Sequence, residues 1–244
     1  RWVSEKTFGR IRGILSEPLN RETRVVIANA LYFNGEWQYP FPAHDTKRKP
    51  FYVSPTDTVE VDMMVNAAEV YYAENKKRSY RIIGLPYKGG EVVMFIVLPE
   101  TENNDPRTFV RSLAPTDLEQ MANETTLQTV IYTVPKMRLE GSMHLRRPLE
   151  RLGVKSLFNP NEADLTNLAQ GVALTNIFHK VEIEVTETGT KASATTIATL
   201  TRDGTTPVFR VDRPFLFFIR HMPTDIITFW GTVFRPSPSE HTQK

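Results

Sequence analysis

The side chains that most often carry out catalysis or bind metals are few in this sequence. There is no cysteine, which excludes a catalytic thiol, a disulfide framework and a thiolate metal site. The sequence contains no G-x-S-x-G, H-E-x-x-H, P-loop or dinucleotide-binding glycine motif. We therefore predict that the protein is not an enzyme and uses neither a metal nor a cofactor. The five histidines are scattered without the spacing of metal ligands: His44, His144, His179, His221 and His241.

The overall charge gives no support for a nucleic-acid or membrane partner. The 244 residues carry a net charge of only +2, with 40% hydrophobic and 24% charged residues, which is the ordinary globular profile. No apolar run approaches the length needed to cross a membrane. Two basic runs, at 47–49 and 76–78, are typical of a solvated face or turn. A glycosaminoglycan is therefore only a weak candidate partner.

The segment at 187–206, ETGTKASATTIATLTRDGTT, joins two strand-forming stretches and itself has the period of a strand. Side chains in a strand alternate between two faces. Here the odd positions are mostly polar, and the even positions are small and mostly apolar, as expected for a strand inside a sheet. On this stretch alone, a Thr/Ala-rich edge strand or a flexible loop fits equally well. The even positions are Thr190, Ala192, Ala194, Thr196, Ala198 and Leu200.

The remaining patterns favour strands over helices by about two to one. Residues 1–15 predict an amphipathic helix, 24–33 a strand buried on both faces, and 106–124 two short helices. Residues 51–99 predict a meander of short strands. Further strands are predicted at 127–141 and 172–185, with a closing hairpin at 215–234 and a helix that ends at Gly153.

Several motifs occur together in one order, and with them the chain resembles the serpin family from Arg1 to about Pro236. Each motif alone is moderately specific, but chance agreement of all seven in order is very unlikely. The motifs are NALYFNGEW, GLPYKGGEVVMFIVLP, VPKM, LERLGVKSLF, ADL, FHKVEIEVTETGTKASATT and DRPFLFFIRH with FWGTVFRP.

The resemblance implies an α+β fold, namely the C-terminal two-thirds of the serpin fold, with mixed β-sheets, overlying helices and a mobile reactive-centre loop. Residues 1–244 are expected to form one serpin domain that lacks the N-terminal third of the family fold. The loop is expected at about 189–208 and the C-terminal strands at 208–236. The remaining N-terminal part of the same serpin is therefore an expected partner.

The resemblance also implies a suicide inhibitor of a serine protease. In this family the protease cleaves the exposed loop, becomes acylated, and is carried along as the loop inserts into the main β-sheet as a new strand. That fate explains why a linker has the pattern of a strand. The alternative is a non-inhibitory serpin with a carrier, chaperone or storage role.

The hinge of the loop matches inhibitory members of the family. Gly189 corresponds to the hinge glycine, and Thr190 corresponds to the first residue that enters the sheet. Thr188 and Lys191 stand where the family often has glutamate. Lys191 is predicted to point outward, so it should do little damage. The small residues that follow match the inhibitory pattern: Ala192, Ser193, Ala194 and Thr195.

Two polar pairs correspond to the places where the family's main sheet opens. Glu187 and Lys136 are expected to pair beside the loop, with Trp37 packed near them. Asn29 and His179 correspond to a polar pair deeper beneath the sheet, where strands must part. A buried histidine needs a hydrogen-bond partner, and Asn29 can provide one.

The residue before the scissile bond sets which protease is inhibited. Fourteen positions on from Gly189 is Asp203, followed by Gly204, whereas Arg202 stands one residue earlier. Arginine suits a trypsin-like protease, whose specificity pocket holds a carboxylate. Aspartate suits an Asp-specific or cysteine protease. The spacing from Gly189 favours Asp203, whereas the greater frequency of trypsin-like targets favours Arg202. We predict Arg202 as the residue before the scissile bond.

Asn123-Glu124-Thr125 is the only N-glycosylation sequon and falls in a polar stretch. Such triplets are common by chance, but a secreted serpin could use this one. By the resemblance, the protein is expected to be a secreted, extracellular glycoprotein, although no signal peptide is present in the sequence.

Overall fold

The computed structural model describes residues 1–15, 17–100, 106–114, 116–188 and 205–237. The chain divides into two compact units. The first comprises residues 1–34 and 139–184, and the second comprises residues 35–138 and 185–244. The predicted hinge from Gly189 to Thr195 and the predicted bait residues Arg202, Asp203 and Gly204 lie outside the described residues.

The described residues contain eleven strands and four short α-helices. The helices are α1 (Trp2–Lys6), α2 (Pro106–Arg111), α3 (Asp117–Asn123) and α4 (Arg146–Arg151), with 3-10 turns at Ala43–Asp45 and Ser156–Phe158. None of these helices has the length and apolarity needed to span a membrane. The strands are β1 (Val25–Phe33), β2 (Lys47–Ser54), β3 (Asp57–Asn75), β4 (Tyr80–Pro86), β5 (Val92–Pro99), β6 (Thr126–Pro135), β7 (Met137–His144), β8 (Leu174–Val185), β9 (Val208–Arg210), β10 (Phe215–His221) and β11 (Ile226–Val233).

The first unit is built on a three-stranded sheet in the order β1-β8-β7. Strands β1 and β8 are parallel and pair directly along the whole of β1, from Val25 opposite Leu174 to Phe33 opposite Ile183. A register irregularity falls between Val25 and Val26. We call this line of pairing between β1 and β8 the seam.

The second unit is built on a larger sheet in the order β11-β10-β5-β4-β3-β6-β9, with β2 paired to β3. Strands β4, β5 and β10 are almost wholly buried, because they read as continuous apolar runs and lie in the middle of the sheet. Helices α2 and α3 contribute Phe109 and Met121 to a core that also contains Phe95 and Phe218. Helices α2 and α3 therefore cover one face of the central part of this sheet closely.

The segmentation predicted from the sequence was right for most elements. The two helices within 106–124, the turn at 54–57, and the antiparallel hairpin of β10 and β11 are all present. The helix α4 ends just before Gly153, whose φ of 97° is easily adopted only by glycine. The predominance of strands and the α+β class are confirmed.

Two predictions for the first unit were wrong. The N-terminal helix ends at Lys6 rather than near Leu15, because Phe8 and Gly9 adopt left-handed backbone angles, and the Phe8 side chain is 90% exposed. Strand β1 is not buried on both faces, since Ile27 is 47% exposed. In the described part of the chain, β1 is an edge strand with a partner on one side only.

Two strand boundaries also differ from the sequence prediction. Residues predicted to form separate strands merge into β3, which runs for 19 residues because no glycine or proline interrupts it. The stretch 127–141, predicted as one strand, is instead divided at Pro135-Lys136 into β6 and β7. Proline has no N–H to donate, which favours a break in the ladder there.

Candidate functional site

The last three described residues before the gap at 189–204 are held in place by other residues of the second unit; they are Thr186, Glu187 and Thr188. We call these three residues the loop base. Glu187 Oε2 lies 2.9 Å from Lys136 Nζ, and both side chains are about one-fifth exposed (18% and 20%). Glu187 Oε1 accepts a hydrogen bond of 3.1 Å from the hydroxyl of Thr46. The predicted pairing of Glu187 with Lys136 is therefore present, with a third group added.

The Glu187 carboxylate is held in its ionised form. Burial alone would raise the pKa of this carboxyl. The hydrogen bond and charge of Lys136, a backbone hydrogen bond and the smaller contribution of Thr46 together outweigh the desolvation and leave the pKa below its ordinary value. The Lys136 backbone is itself fixed, since its N–H donates to the carbonyl of Asp62 at 2.7 Å. The ion pair therefore links the loop base to the edge of a β-ladder.

Trp37 binds the loop base through the main chain. Its indole Nε1 donates to the carbonyl of Thr186 at 2.8 Å, and its backbone N–H donates to the carbonyl of Thr188 at 3.2 Å. The indole is 4% exposed and stacks on Tyr87 with ring centroids 4.4 Å apart. The structure thus places Trp37 against the loop base, where its contacts are hydrogen bonds as well as packing.

The stack requires a glycine beneath it. A Cβ built on Gly35 would lie 2.5 Å from the Tyr87 ring, which no real side chain tolerates. The backbone at Gly35 therefore approaches Tyr87 closely enough to fix where that ring, and hence the Trp37 indole, can sit. Burial also raises the pKa of Tyr87, which keeps the phenol neutral.

Thr46 and Tyr87 were missed by reasoning from the sequence. Tyr87 falls in the GLPYKGG motif between strands and could have been suspected from its position after Pro86. Thr46 stands in an unremarkable polar stretch before β2, and no local signal points to it. Its role depends on a contact with a residue 141 positions away.

Asn29 and His179 are direct partners across the seam. They occupy the same register position of the parallel pair, and Asn29 Nδ2 lies 3.2 Å from His179 Nδ1. The structure brings the two predicted residues together, but the predicted burial is wrong for the described residues. Asn29 is exposed and His179 is half-buried, because β1 carries little covering there.

Asn123 is the last residue of α3 and is exposed. Its side-chain oxygen accepts a 2.9 Å hydrogen bond from Nη1 of Arg220, whose side chain is only 3% exposed and also pairs with Asp225. A bond to the oxygen leaves the amide nitrogen of Asn123, the atom that N-glycosylation modifies, without that constraint.

Comparison with known proteins identifies the family. A sequence model described as Serpin (serine protease inhibitor) matches residues 1–236, so the chain belongs to the serpin family. Plasminogen activator inhibitor 1 of Sus scrofa is 38% identical over 242 residues, which are 96% of this chain and 60% of that protein. Intracellular coagulation inhibitor 1 of Tachypleus tridentatus is 36% identical over 239 residues, 95% of this chain and 57% of that protein.

A solved structure agrees with this assignment. The crystal structure of uncleaved ovalbumin has a TM-score of 0.87 and 25% sequence identity, over 96% of this chain and 64% of that chain. The serpin fold predicted from the sequence is therefore confirmed. The family is one of protease inhibitors, in agreement with the prediction that this chain is not an enzyme. The chain spans about 60% of the length of the curated relatives.

Proposed function

We propose that the protein is an irreversible suicide inhibitor of a trypsin-like serine protease, with Arg202 as the residue before the scissile bond. The observation that carries the proposal is the seam. Strands β1 and β8 pair directly in parallel along the full length of β1, and β8 leads through the loop base into the loop. Both curated relatives are named as inhibitors, which supports the same function.

The direction of the strands favours insertion of the loop at the seam. A chain that turns back after β8 runs antiparallel to β8, and it is then antiparallel to β1 as well, because β1 and β8 are parallel. Antiparallel pairing is somewhat more stable per residue than parallel pairing. An inserted strand therefore exchanges one parallel ladder for two antiparallel ladders.

The lengths of the strands agree with this direction. Strand β8 contains 12 residues, and the alternating stretch 190–201 provides a strand of the same length. Its even face is small, so it fits beneath a close covering layer.

The protease catalyses the cleavage of the loop, and the inhibitor must insert the cleaved loop before the acyl-enzyme is hydrolysed. The protease serine oxygen attacks the Arg202 carbonyl carbon, the Arg202–Asp203 amide bond breaks, and the new amine of Asp203 leaves with a proton donated by the protease histidine. The protease is then held by an ester to Arg202. Insertion of the loop must displace the protease before water hydrolyses that ester.

The loop base sets the resistance to insertion. Its residues are fixed by the Glu187–Lys136 ion pair, the Thr46 hydroxyl and the two hydrogen bonds from Trp37. At the seam itself, the Asn29–His179 contact is one of the interactions that must be broken. We infer that these groups hold the loop outside the sheet until cleavage releases it.

The other partners belong to the same proposal. Residues 1–244 form part of one serpin domain, and the rest of that serpin covers the exposed stretch of β1 around Ile27 and Leu31, which are 47% and 38% exposed. We further propose that the protein is secreted and carries a glycan on Asn123. Loss of a glycan-sized mass in Asn123→Gln, with Asn161→Gln as an exposed control outside any sequon, tests the modification.

The test is incubation of the full-length protein with trypsin, followed by denaturing electrophoresis and intact mass of the released C-terminal peptide. A covalent complex and a peptide that begins at Asp203 support the proposal. Arg202→Ala should then abolish the complex, whereas Asp203→Asn should retain it. A peptide that begins at Gly204, obtained with an Asp-directed protease, moves the bait to Asp203. Cleavage by every protease without a complex or a gain in thermal stability indicates a non-inhibitory serpin.

A further inference from the structure

The chain on the far side of the bait is attached to the large sheet by a very short strand. Strand β9 has three residues, lies at the end of the sheet and pairs with β6 in parallel, from Ile131 opposite Val208 to Thr133 opposite Arg210. Two backbone hydrogen bonds bracket it, from Ile131 N–H to the Pro207 carbonyl (2.9 Å) and from Val211 N–H to the Thr133 carbonyl (3.0 Å).

A single arginine from another strand makes two contacts with β9 and is itself bound by Glu100. Arg81 on β4 donates from Nη1 to the Val208 carbonyl at 3.2 Å and from Nε to Glu100 Oε1 at 2.6 Å. Its guanidinium carbon lies 5.8 Å from the centroid of the Phe209 ring, and that ring is fully buried. The Arg81 side chain is 21% exposed, so these interactions are only partly screened by water.

A second arginine, Arg213, lies near the same Glu100 carboxylate that binds Arg81. Arg213 Nη2 lies 4.0 Å from the same oxygen of Glu100, and its Nη1 lies 3.5 Å from Asp212. Burial is the main cause that lowers the pKa of Arg213, and the charge of Arg81 lowers it further. Two guanidinium groups thus lie close to the Glu100 carboxylate, and one of them, that of Arg81, also contacts β9.

The distance along the chain is short. Val208 is five positions after Asp203, so the new chain end at Asp203 lies at most about 18 Å of extended chain from β9. The freedom of the bait on this side therefore depends on how firmly β9 is held. A bait held in place loses less conformational entropy when a protease binds it.

We propose that Arg81 is a positioning residue that holds β9 on the sheet and thereby fixes the C-terminal side of the bait for capture by the protease. This inference rests on the proposed inhibitory function. The role ends at cleavage, because the new chain end at Asp203 is no longer joined to the segment that inserts. Loss of Arg81 should therefore slow association with the protease and leave unchanged the number of inhibitor molecules consumed per protease inhibited.

The chain provides a matched control in Arg146. It donates from Nε to Glu150 at 3.0 Å and from Nη1 to the Thr175 carbonyl at 3.1 Å, and its guanidinium carbon lies 5.4 Å from the Phe158 ring centroid. All of these groups lie in the first unit. Arg146→Ala thus removes the same set of contacts at a place unrelated to β9.

The experiment compares amide hydrogen exchange, thermal unfolding and trypsin inhibition in the natural full-length protein, Arg81→Ala, Arg81→Lys and Arg146→Ala. We expect exchange at Val211 and Ile131 to rise by about tenfold in Arg81→Ala, as for the loss of one charge-assisted hydrogen bond, with partial recovery in Arg81→Lys. We expect the association rate to fall by about threefold or more with unchanged stoichiometry. Arg146→Ala should match the natural protein in exchange at these two amides and in trypsin inhibition.

Unchanged exchange at these amides in Arg81→Ala overturns the proposal. Exchange that rises throughout the molecule together with a lower Tm also overturns it, because the role is then only structural. If the natural protein inhibits no protease but Arg81→Ala still loosens β9, the proposed inhibitory function is wrong, and only the part of the inference in which Arg81 holds β9 on the sheet is supported. If Arg81→Ala does not fold, Glu100→Gln, which weakens the same anchor, should loosen β9 in the same direction, and unchanged exchange there overturns the proposal.

Discussion

Asn29 on β1 and His179 on β8 face each other at one register position of a parallel pair, with Asn29 Nδ2 3.2 Å from His179 Nδ1. The same pair of residue types recurs on the other edge of β8, where Asn176 Nδ2 lies 3.0 Å from His144 Nδ1 of β7. Only the first contact crosses the seam. Substitutions in the two pairs can therefore be compared. A change that affects only opening of the seam should follow from the first pair alone, whereas a general effect on β8 should follow from both.

Removal of the amide at the seam should ease insertion. We expect Asn29→Ala to anneal a synthetic peptide of sequence TKASATTIATLT about fivefold faster than the natural protein, since one hydrogen bond of about 1 kcal/mol no longer opposes separation of the strands. Peptide annealing can be followed by fluorescence anisotropy. Asn176→Ala should leave the rate unchanged, and an equal acceleration in that variant contradicts the role assigned to the seam contact.

The Glu187–Lys136 pair should give the protein a specific dependence on acid pH. The native pKa of Glu187 lies below its ordinary value of 4.5, so the carboxylate stabilises the native state above that value. The contribution is lost as the pH falls through the lowered native pKa. We expect Glu187→Gln to have a lower Tm than the natural protein at neutral pH and a smaller loss of Tm on acidification.

The control for this prediction is the exposed pair of Glu36 and Lys88, also 2.9 Å apart, with side chains 52% and 69% exposed. Exposed ion pairs contribute little, so Glu36→Gln should leave the Tm and its pH dependence close to those of the natural protein. Parallel pH profiles for Glu187→Gln and the natural protein refute the assignment to Glu187.

A methyl group at Gly35 should disturb the aromatic stack beneath the loop base. Gly35→Ala places a Cβ against the Tyr87 ring and should cost about 1–3 kcal/mol of unfolding free energy, the usual range for overpacking. Chemical denaturation and near-ultraviolet circular dichroism of the Trp37–Tyr87 stack measure it. Gly141→Ala on β7 is the control, since nothing lies within 4 Å of its Cβ position. Equal effects of the two substitutions exclude the steric explanation.

The alternation of small and polar residues in the loop predicts opposite effects for substitutions at neighbouring positions. Ala192 belongs to the small even face and Ser193 to the polar odd face. Ala192→Arg should therefore block insertion, so that the protease cleaves the loop and departs, whereas Ser193→Arg should still form the covalent complex. The ratio of complex to cleaved inhibitor on a denaturing gel decides between them. Equal ratios contradict the assignment of faces.

The sequence predicted local features well because they depend on local patterns. Strand β8, the hairpin of β10 and β11, and the end of α4 at Gly153 follow from apolar runs and glycine punctuation. It predicted the pairs Glu187–Lys136 and Asn29–His179 through resemblance to a family, and no spacing in the chain implies contacts across 51 or 150 positions.

The failures have physical causes that a pattern of residues does not carry. Strand β1 looks fully buried because it is apolar throughout, yet apolarity does not show which neighbours are present to cover it. The expected helix up to Leu15 obeys helical spacing, but the left-handed backbone at Phe8 ends it. Thr46 was missed because a threonine becomes important only when a distant carboxylate is placed against it.

Strand β10 decides what happens to the molecule after the cut. Cleavage at the proposed Arg202–Asp203 bond would leave β9, β10 and β11 on a separate polypeptide. Six of the seven residues of β10 are buried, and the strand is hydrogen-bonded to β5 on one side and β11 on the other. The two polypeptides therefore remain one particle in native buffer, and size alone does not distinguish a chain that a protease has cleaved and released from an intact one. A denaturant is needed to separate the C-terminal fragment, because β10 is buried and hydrogen-bonded on both sides.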